Sequence, residues 1–211
     1  MSDTTISQTS SSALDTATVD ALYRAIAHRR SFGVARLKAD PVPRVLLERA
    51  LAAADWAPSH GETEPWRFTV FAGDSRARLG EIWAAAAEAE NRESGRVVAE
   101  PALWRDRPRA APVWISLGVQ PALRPDGTLE REEEGEALAV ACAVQNLHLV
   151  LAAEGLAGKW TFKALVRRRE VTAALGLPAH ARLLGFFAVG WPSGEWPEGK
   201  RRPLEEKVTW A

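Results

Sequence analysis

"GEALAVACAVQNLHLVLAA", residues 135–153, decides the fold. Its apolar residues cover most faces of a helix rather than one stripe. Such a helix belongs in the centre of a domain. Gly155 follows where a left-handed residue can stop it. The rest of the chain must then wrap around this segment. Upstream, "APVWISLGV" (111–119) reads as a strand, and downstream "ARLLGFFAVG" (181–190) reads as a second, buried one. "RFTVFAG" (67–73) is a third, with a glycine stop. Helical spacing appears in "TVDALYRAIAHRR" (18–30), with Val19, Leu22, Tyr23 and Ile26 on one side. It recurs in "VPRVLLERALAAADW" (42–56), where Pro43 occupies a permitted start. Asp74 or Ser75 caps a further helix running to about Glu90. "KALVRRREVTAALGLP" (163–178) forms one or two short helices ending at Gly176. Helices and strands mix without regular βαβ alternation, so the fold class is α+β.

The 211 residues contain no Pro/Gly/Ser-rich linker in their middle, so one domain is expected over residues 19–211. The polar, Ser/Thr-rich start, residues 1–18, reads as a disordered tail without signal-peptide character. Residues 92–109 are charged and weakly patterned, and read as a mobile or lid-like segment. The tail ends in a short β-like piece, "KVTW" (207–210). Twenty-seven basic residues balance twenty-seven acidic ones, which argues against nucleic acid or an anionic membrane as the main partner. No uninterrupted run of about 18 apolar residues is present, and no membrane span is expected. The lone cysteine, Cys142, excludes an intrachain disulfide and fits a reducing, cytoplasmic setting. It reads as inert filler of the central helix, and His148 as a satisfied core residue.

Four stretches carry chemistry. "HRRSFG" (28–33) puts two guanidinium groups and a hydroxyl after the first helix, a grip for phosphate. The same arginines also suit a helix C-terminus. "WAPSHGETEPWRF" (56–68) holds His60, Glu62 and Glu64 between two stiffening prolines. It lacks zinc-type ligand spacing, so no metal site is expected. "EGLAGKWTF" (154–162) is a glycine turn that permits close backbone approach. "GKRRP" (199–203) offers a second cluster of cations. "RRR" (167–169) reads as a solvated helix face. Nine tryptophans serve as core filler or as walls for a flat ligand. No Ser-His-Asp or Cys-His signature occurs, so no catalytic side chain is assigned. Phosphate grips, flat aromatics and absent acid–base groups fit a cofactor that does its own chemistry.

Taken in order, these motifs resemble the nitroreductase family of FMN-dependent oxidoreductases, especially its short members. The resemblance runs from about Val19 to Ala211 and rests on Arg29-Arg30-Ser31, Ala57-Pro58-Ser59, Pro65-Trp66-Arg67-Phe68, the turn carrying Trp160, and Arg201-Arg202-Pro203-Leu204-Glu205-Glu206. It implies a sandwich with a central, mostly antiparallel sheet flanked by helices. It also implies a homodimer with FMN at the subunit interface and a C-terminal extension reaching the partner subunit. By similarity, Arg29, Arg30 and Ser31 hold the phosphate and ribityl end, helped by Lys200, Arg201 and Arg202. Pro58, Ser59 and His60 lie against the flavin of the other subunit, and Trp160, Thr161 and Phe162 line its far side. The implied reaction passes hydride from NADH or NADPH through flavin N5 to a small acceptor such as a nitroaromatic, quinone or enone. Relatives that fragment flavin or dehalogenate, and a non-catalytic flavin-binding module, are the rival readings. Glu62 and Glu64 stand where many members carry Asn and Gln, and Gly33 where many carry Lys. Without that Lys, backbone N–H groups must support the reduced flavin, or its potential moves down.

Overall fold

The computed structural model describes residues 13–211. The expected disordered tail, residues 1–18, thus lies mostly outside the described residues. Helix α1 (Thr16–His28) begins three residues before the expected boundary. The Asp15 carboxylate caps it, accepting from the Thr18 N–H at 2.8 Å. Five more helices follow: α2 (Arg44–Asp55), α3 (Ser75–Ser94), α4 (Pro101–Asp106), α5 (Glu133–Ala153) and α6 (Arg169–Ala174). The strands are β1 (Trp66–Ala72), β2 (Val113–Val119), β3 (Ala157–Thr161) and β4 (Arg182–Gly190). They form one four-stranded sheet in the order β1-β2-β4-β3, every neighbouring pair antiparallel. The α+β sandwich expected from the sequence is the one observed.

Two cores form because β2 is buried on both faces. Val113, Ile115, Leu117 and Val119 pack with α2 and α5. Trp114 points the other way, into a core with Leu79, Trp83 and Phe186. Trp83 meets Trp104, Trp114 and Phe186 edge-on, with centroids 5.0–6.0 Å apart. Strand β4 changes faces midway. Leu184 has no partner in the register with β2, so it forms a bulge, and Gly185 beside it has φ +134°. After the bulge, Phe187 and Val189 join the α5 core while Phe186 and Ala188 join the other.

Several expectations meet a different arrangement. The segment 92–109 is held by contacts in this structure. The Asn91 side chain accepts from the Val98 and Ala99 N–H groups, α4 packs along α3 with Arg105 paired to Glu81, and Trp104 packs against the second core. Its charges misled because most of them are exposed while the apolar residues between them make the contacts. The glycine turn at Gly155 leads into strand β3, and the expected close backbone approach is made at Gly158, where a Cβ would strike the Phe187 ring. The central helix α5 is not buried all round. One face, from Glu136 through Val140, Ala143, Val144 and Leu147 to Leu151, is enclosed, but Leu138 and Cys142 are exposed. Cys142 is therefore not core filler. By length and apolar composition α5 could cross a membrane, yet half of that window is buried against the protein itself. "KVTW" adopts no strand within the chain.

Candidate functional site

The segment after α1 crosses the end of the sheet. Ser31 forms a parallel bridge with Gly158, and the Phe32 N–H donates to the Gly158 carbonyl at 2.9 Å. Phe32 is fully buried, which anchors the turn. The chain from Trp191 to Gly199 returns to the same place. The Lys38 N–H donates to the Trp191 carbonyl and the Ser193 N–H to that of Arg36. The Trp196 indole stacks on His28 with centroids 4.4 Å apart and donates to the His28 carbonyl. Arg30 completes the clasp. Its guanidinium donates to the carbonyls of Ala27, Arg29 and Pro197 and leaves no room for a side chain at Gly199. Arg30 thus ties the two segments together.

That clasp brings Arg201 to Arg29, 172 positions away in the chain. Burial, then the charges of Arg201 and Arg30, push the Arg29 guanidinium below its ordinary value. Among the described residues no carboxylate pairs with Arg29, Arg30 or Arg201. Two like charges held together without a counter-ion make a site for an anion. Lys200 and Arg202 are exposed nearby in sequence; their carbonyls accept from Arg201 and Lys207.

Beside Arg29 lies a cavity of about 220 Å³, lined among others by Ser31, Gln145, His148, Trp160 and Phe187. The Trp160 indole donates to the Leu184 carbonyl and stacks on exposed Phe162 at 4.8 Å. Thr161 pairs with Phe186 in the sheet. Gln145 and His148 had no place in the sequence-derived site. They sit one turn apart on α5, and the signal available was two polar residues interrupting an apolar helix. His148 is 5% exposed, stands edge-on to Phe187, and its Nε2 lies 3.0 Å from the Arg30 carbonyl. Burial, then the neighbouring Arg29 charge, pulls its value down to about 4, so the imidazole is neutral and Nε2 carries the donating proton.

The other predicted loop lies elsewhere. Ser59 Oγ accepts from the Glu64 N–H at 3.2 Å and closes the loop. Thr63 donates to Glu136 of α5 at 2.8 Å. His60 lines a separate cavity of about 390 Å³ together with Glu130, Arg131, Glu132, Gly135 and Glu136. Within one chain Pro58, Ser59 and His60 do not line the Arg29 cavity.

The Nitroreductase family model matches residues 26–191. The chain belongs to the nitroreductase family. It is 32% identical over 185 residues to the 5,6-dimethylbenzimidazole synthase of Rhodospirillum rubrum, covering 84% of this chain and 83% of that one. The nitroreductase-like family protein from Bacillus cereus superposes with a TM-score of 0.72 at 25% identity, covering 90% of this chain and 95% of that one. A mutant of the FMN and NADPH-dependent nitroreductase NfnB from Sphigopyxis sp. strain HMH superposes with a TM-score of 0.65 at 25% identity, covering 89% and 97%. The matched span contains both the Arg29-Ser31 turn and the Trp160 strand, while Arg201 lies beyond it.

Proposed function

We propose that this nitroreductase-family protein is an FMN-dependent oxidoreductase that passes hydride from NADH or NADPH to a small acceptor such as a nitroaromatic, quinone or enone. The observation that carries this is the partly buried Arg29 guanidinium, set beside Arg201 without a counter-ion at the mouth of an aromatic-walled cavity. That arrangement fits a phosphate joined to a flat ring. Arg29 and Arg201 bind the phosphate, and Ser31 adds a short donor. Trp160 and Phe187 wall the ring side, and Gln145 offers both a donor and an acceptor. Bound FMN supplies the hydride chemistry, so the chain needs only to bind, orient and exclude water. No acid–base side chain in the cavity contradicts this: His148 is held neutral and occupied by the Arg30 carbonyl.

The working unit is a homodimer in this reading. A cavity of about 220 Å³ is small beside the roughly 300–1,000 Å³ of ordinary ligand sites. One chain therefore supplies one wall. The exposed face of α5, with Leu138, adjoins α1, which exposes Val19, Leu22, Tyr23 and Ile26. Exposed apolar residues on two packed helices are what an association face would use. Across it, Pro58, Ser59 and His60 of one subunit reach the flavin of the other, and the exposed segment after Lys200 extends over the partner. A single cysteine is compatible with a cytoplasmic setting.

An absorption spectrum of the purified protein tests the reading. Flavin bands that bleach anaerobically with NADPH or NADH are expected. A colourless protein that takes up no added FMN would sink it. Arg29→Ala should weaken FMN binding at least tenfold with little change in apoprotein melting. Arg30→Ala should lower apoprotein melting itself, because it unties the clasp. The 32% identity to a dimethylbenzimidazole synthase supplies a second reading, which predicts that product from the flavin-loaded protein.

A further inference from the structure

The Arg29-Arg30-Ser31 turn is held from two other elements. From β3, the Gly158 carbonyl accepts from the Phe32 N–H at 2.9 Å, and Ser31 bridges Gly158. From α5, His148 Nε2 lies 3.0 Å from the Arg30 carbonyl, 118 positions away in the chain. That carbonyl belongs to the planar peptide joining Arg30 to Ser31. Fixing it restricts both the direction in which Ser31 leaves and the one from which Arg29 arrives.

The direction matters because the turn sends its side chains to two places. Arg29 has extended backbone, with ψ 130°, and successive side chains of extended backbone face opposite ways. Arg29 and Ser31 line the cavity, together with His148 itself. The Arg30 side chain goes to the clasp, where it donates to the Pro197 carbonyl at 3.0 Å. A turn rotated about the Arg30–Ser31 peptide would misdirect the two groups assigned to the phosphate.

Histidine suits this place. An apolar residue would fill it without desolvating an imidazole, so what histidine adds is the tether. Its donor sits at the end of a rigid ring, and Phe187 holds that ring edge-on with centroids 4.8 Å apart. Burial, then the Arg29 charge, keeps the ring neutral. The bond is therefore made without a third cation beside Arg29 and Arg201.

We propose that His148 is a positioning residue of the phosphate grip: its bond to the Arg30 carbonyl holds the turn so that the Arg29 guanidinium and the Ser31 hydroxyl face the cavity together. This role rests on the FMN reading above and adds to it a residue that acts on the phosphate through the turn.

Riboflavin differs from FMN only in lacking the phosphate, so the ratio of their dissociation constants isolates the grip. Both are titrated into the flavin-free full chain by quenching of flavin fluorescence, for the native protein, His148→Leu, His148→Asn and His148→Gln. Leucine removes the donor, asparagine is too short to bring one to the Arg30 carbonyl, and glutamine carries an amide N–H about as far as Nε2. In the Leu and Asn variants FMN affinity should fall about threefold to tenfold and riboflavin affinity by less than about twofold. The Gln variant should keep most of the native ratio. With Arg29→Ala already present, His148→Leu should add little, because both changes act on one contact. Equal losses for FMN and riboflavin would make His148 structural and overturn the proposal. Unchanged FMN affinity, or a Gln variant no better than Leu, would overturn it as well. If His148→Leu does not fold, His148→Asn decides; if neither folds, the residue is structural and the proposal fails. A native chain that takes up neither flavin would instead overturn the oxidoreductase reading itself.

Discussion

His148 is buried against the Arg30 carbonyl within the field of Arg29, and that position makes it sensitive to acid. Its folded value is near 4 against an ordinary 6.5. Between those limits the unfolded chain binds more protons than the folded one, so stability falls as pH drops from 6.5 towards 4. The loss amounts to roughly 3 kcal/mol at most. Melting temperature followed from pH 7 to 4 should show this slope, and His148→Leu should flatten it; an unchanged slope would remove His148 as the cause. A second residue-scale effect sits in the 59–64 loop. Gly61, Glu62 and Glu64 all have left-handed φ, at +72°, +55° and +45°. A side chain without a local bond pays for that conformation, whereas Asn tolerates it. Glu62→Asn should therefore raise unfolding free energy by about 0.5–1 kcal/mol. A urea midpoint that does not increase would show that the loop relaxes freely. The left-handed backbone also explains why an amide residue suits position 62 so well: Asn is favoured there for its φ as well as for its hydrogen bonds.

At the scale of elements, the bulge in β4 is the feature on which both cores depend. It puts Leu184 and Phe187, three positions apart, on the α5 face and Leu183 and Phe186 on the other, which an unbroken alternation could not do. Gly185 permits it, since a Cβ there would collide with the Thr161 carbonyl and φ is +134°. Gly185→Ala should cost more than about 2 kcal/mol in chemical denaturation; a smaller cost would mean that β3 can move away. The run "LLGFFAVG" announces a buried strand but not this reversal, because periodicity is lost when both faces are apolar. Strand β3 was hidden for a related reason. Gly158 and Lys159 are poor strand formers, and only the neighbouring β4 makes the segment extended. Arg168 shows the same limit. Read as part of a solvated face, it bonds Glu93 of α3 and Glu170 of α6, and so joins two elements.

For the whole molecule, the exposed apolar face of α1 and α5 predicts association. Ile26→Asp combined with Leu138→Asp should give a monomer by sedimentation velocity, with weakened FMN binding. A pair of variants that stays dimeric and yellow would place the interface elsewhere. The α+β class, the helix at 135–153 and the Arg29-Arg30-Ser31 turn were legible in the sequence. They rest on local periodicity, stop signals and adjacent residue chemistry. Residue chemistry showed the partner of Arg29 only as a separate basic cluster in the tail, and the family resemblance alone put Arg201 at the same phosphate. The C-terminal clasp, built from Arg30, Trp196 and Pro197, decided that Arg201 stands beside it. Tertiary packing likewise decided that α5 keeps one face bare, that His148 stays neutral, and that Arg131 and Glu136 share a cavity. Each of these depends on groups distant along the chain, whose desolvation and alignment arise only when the sheet and α5 close together.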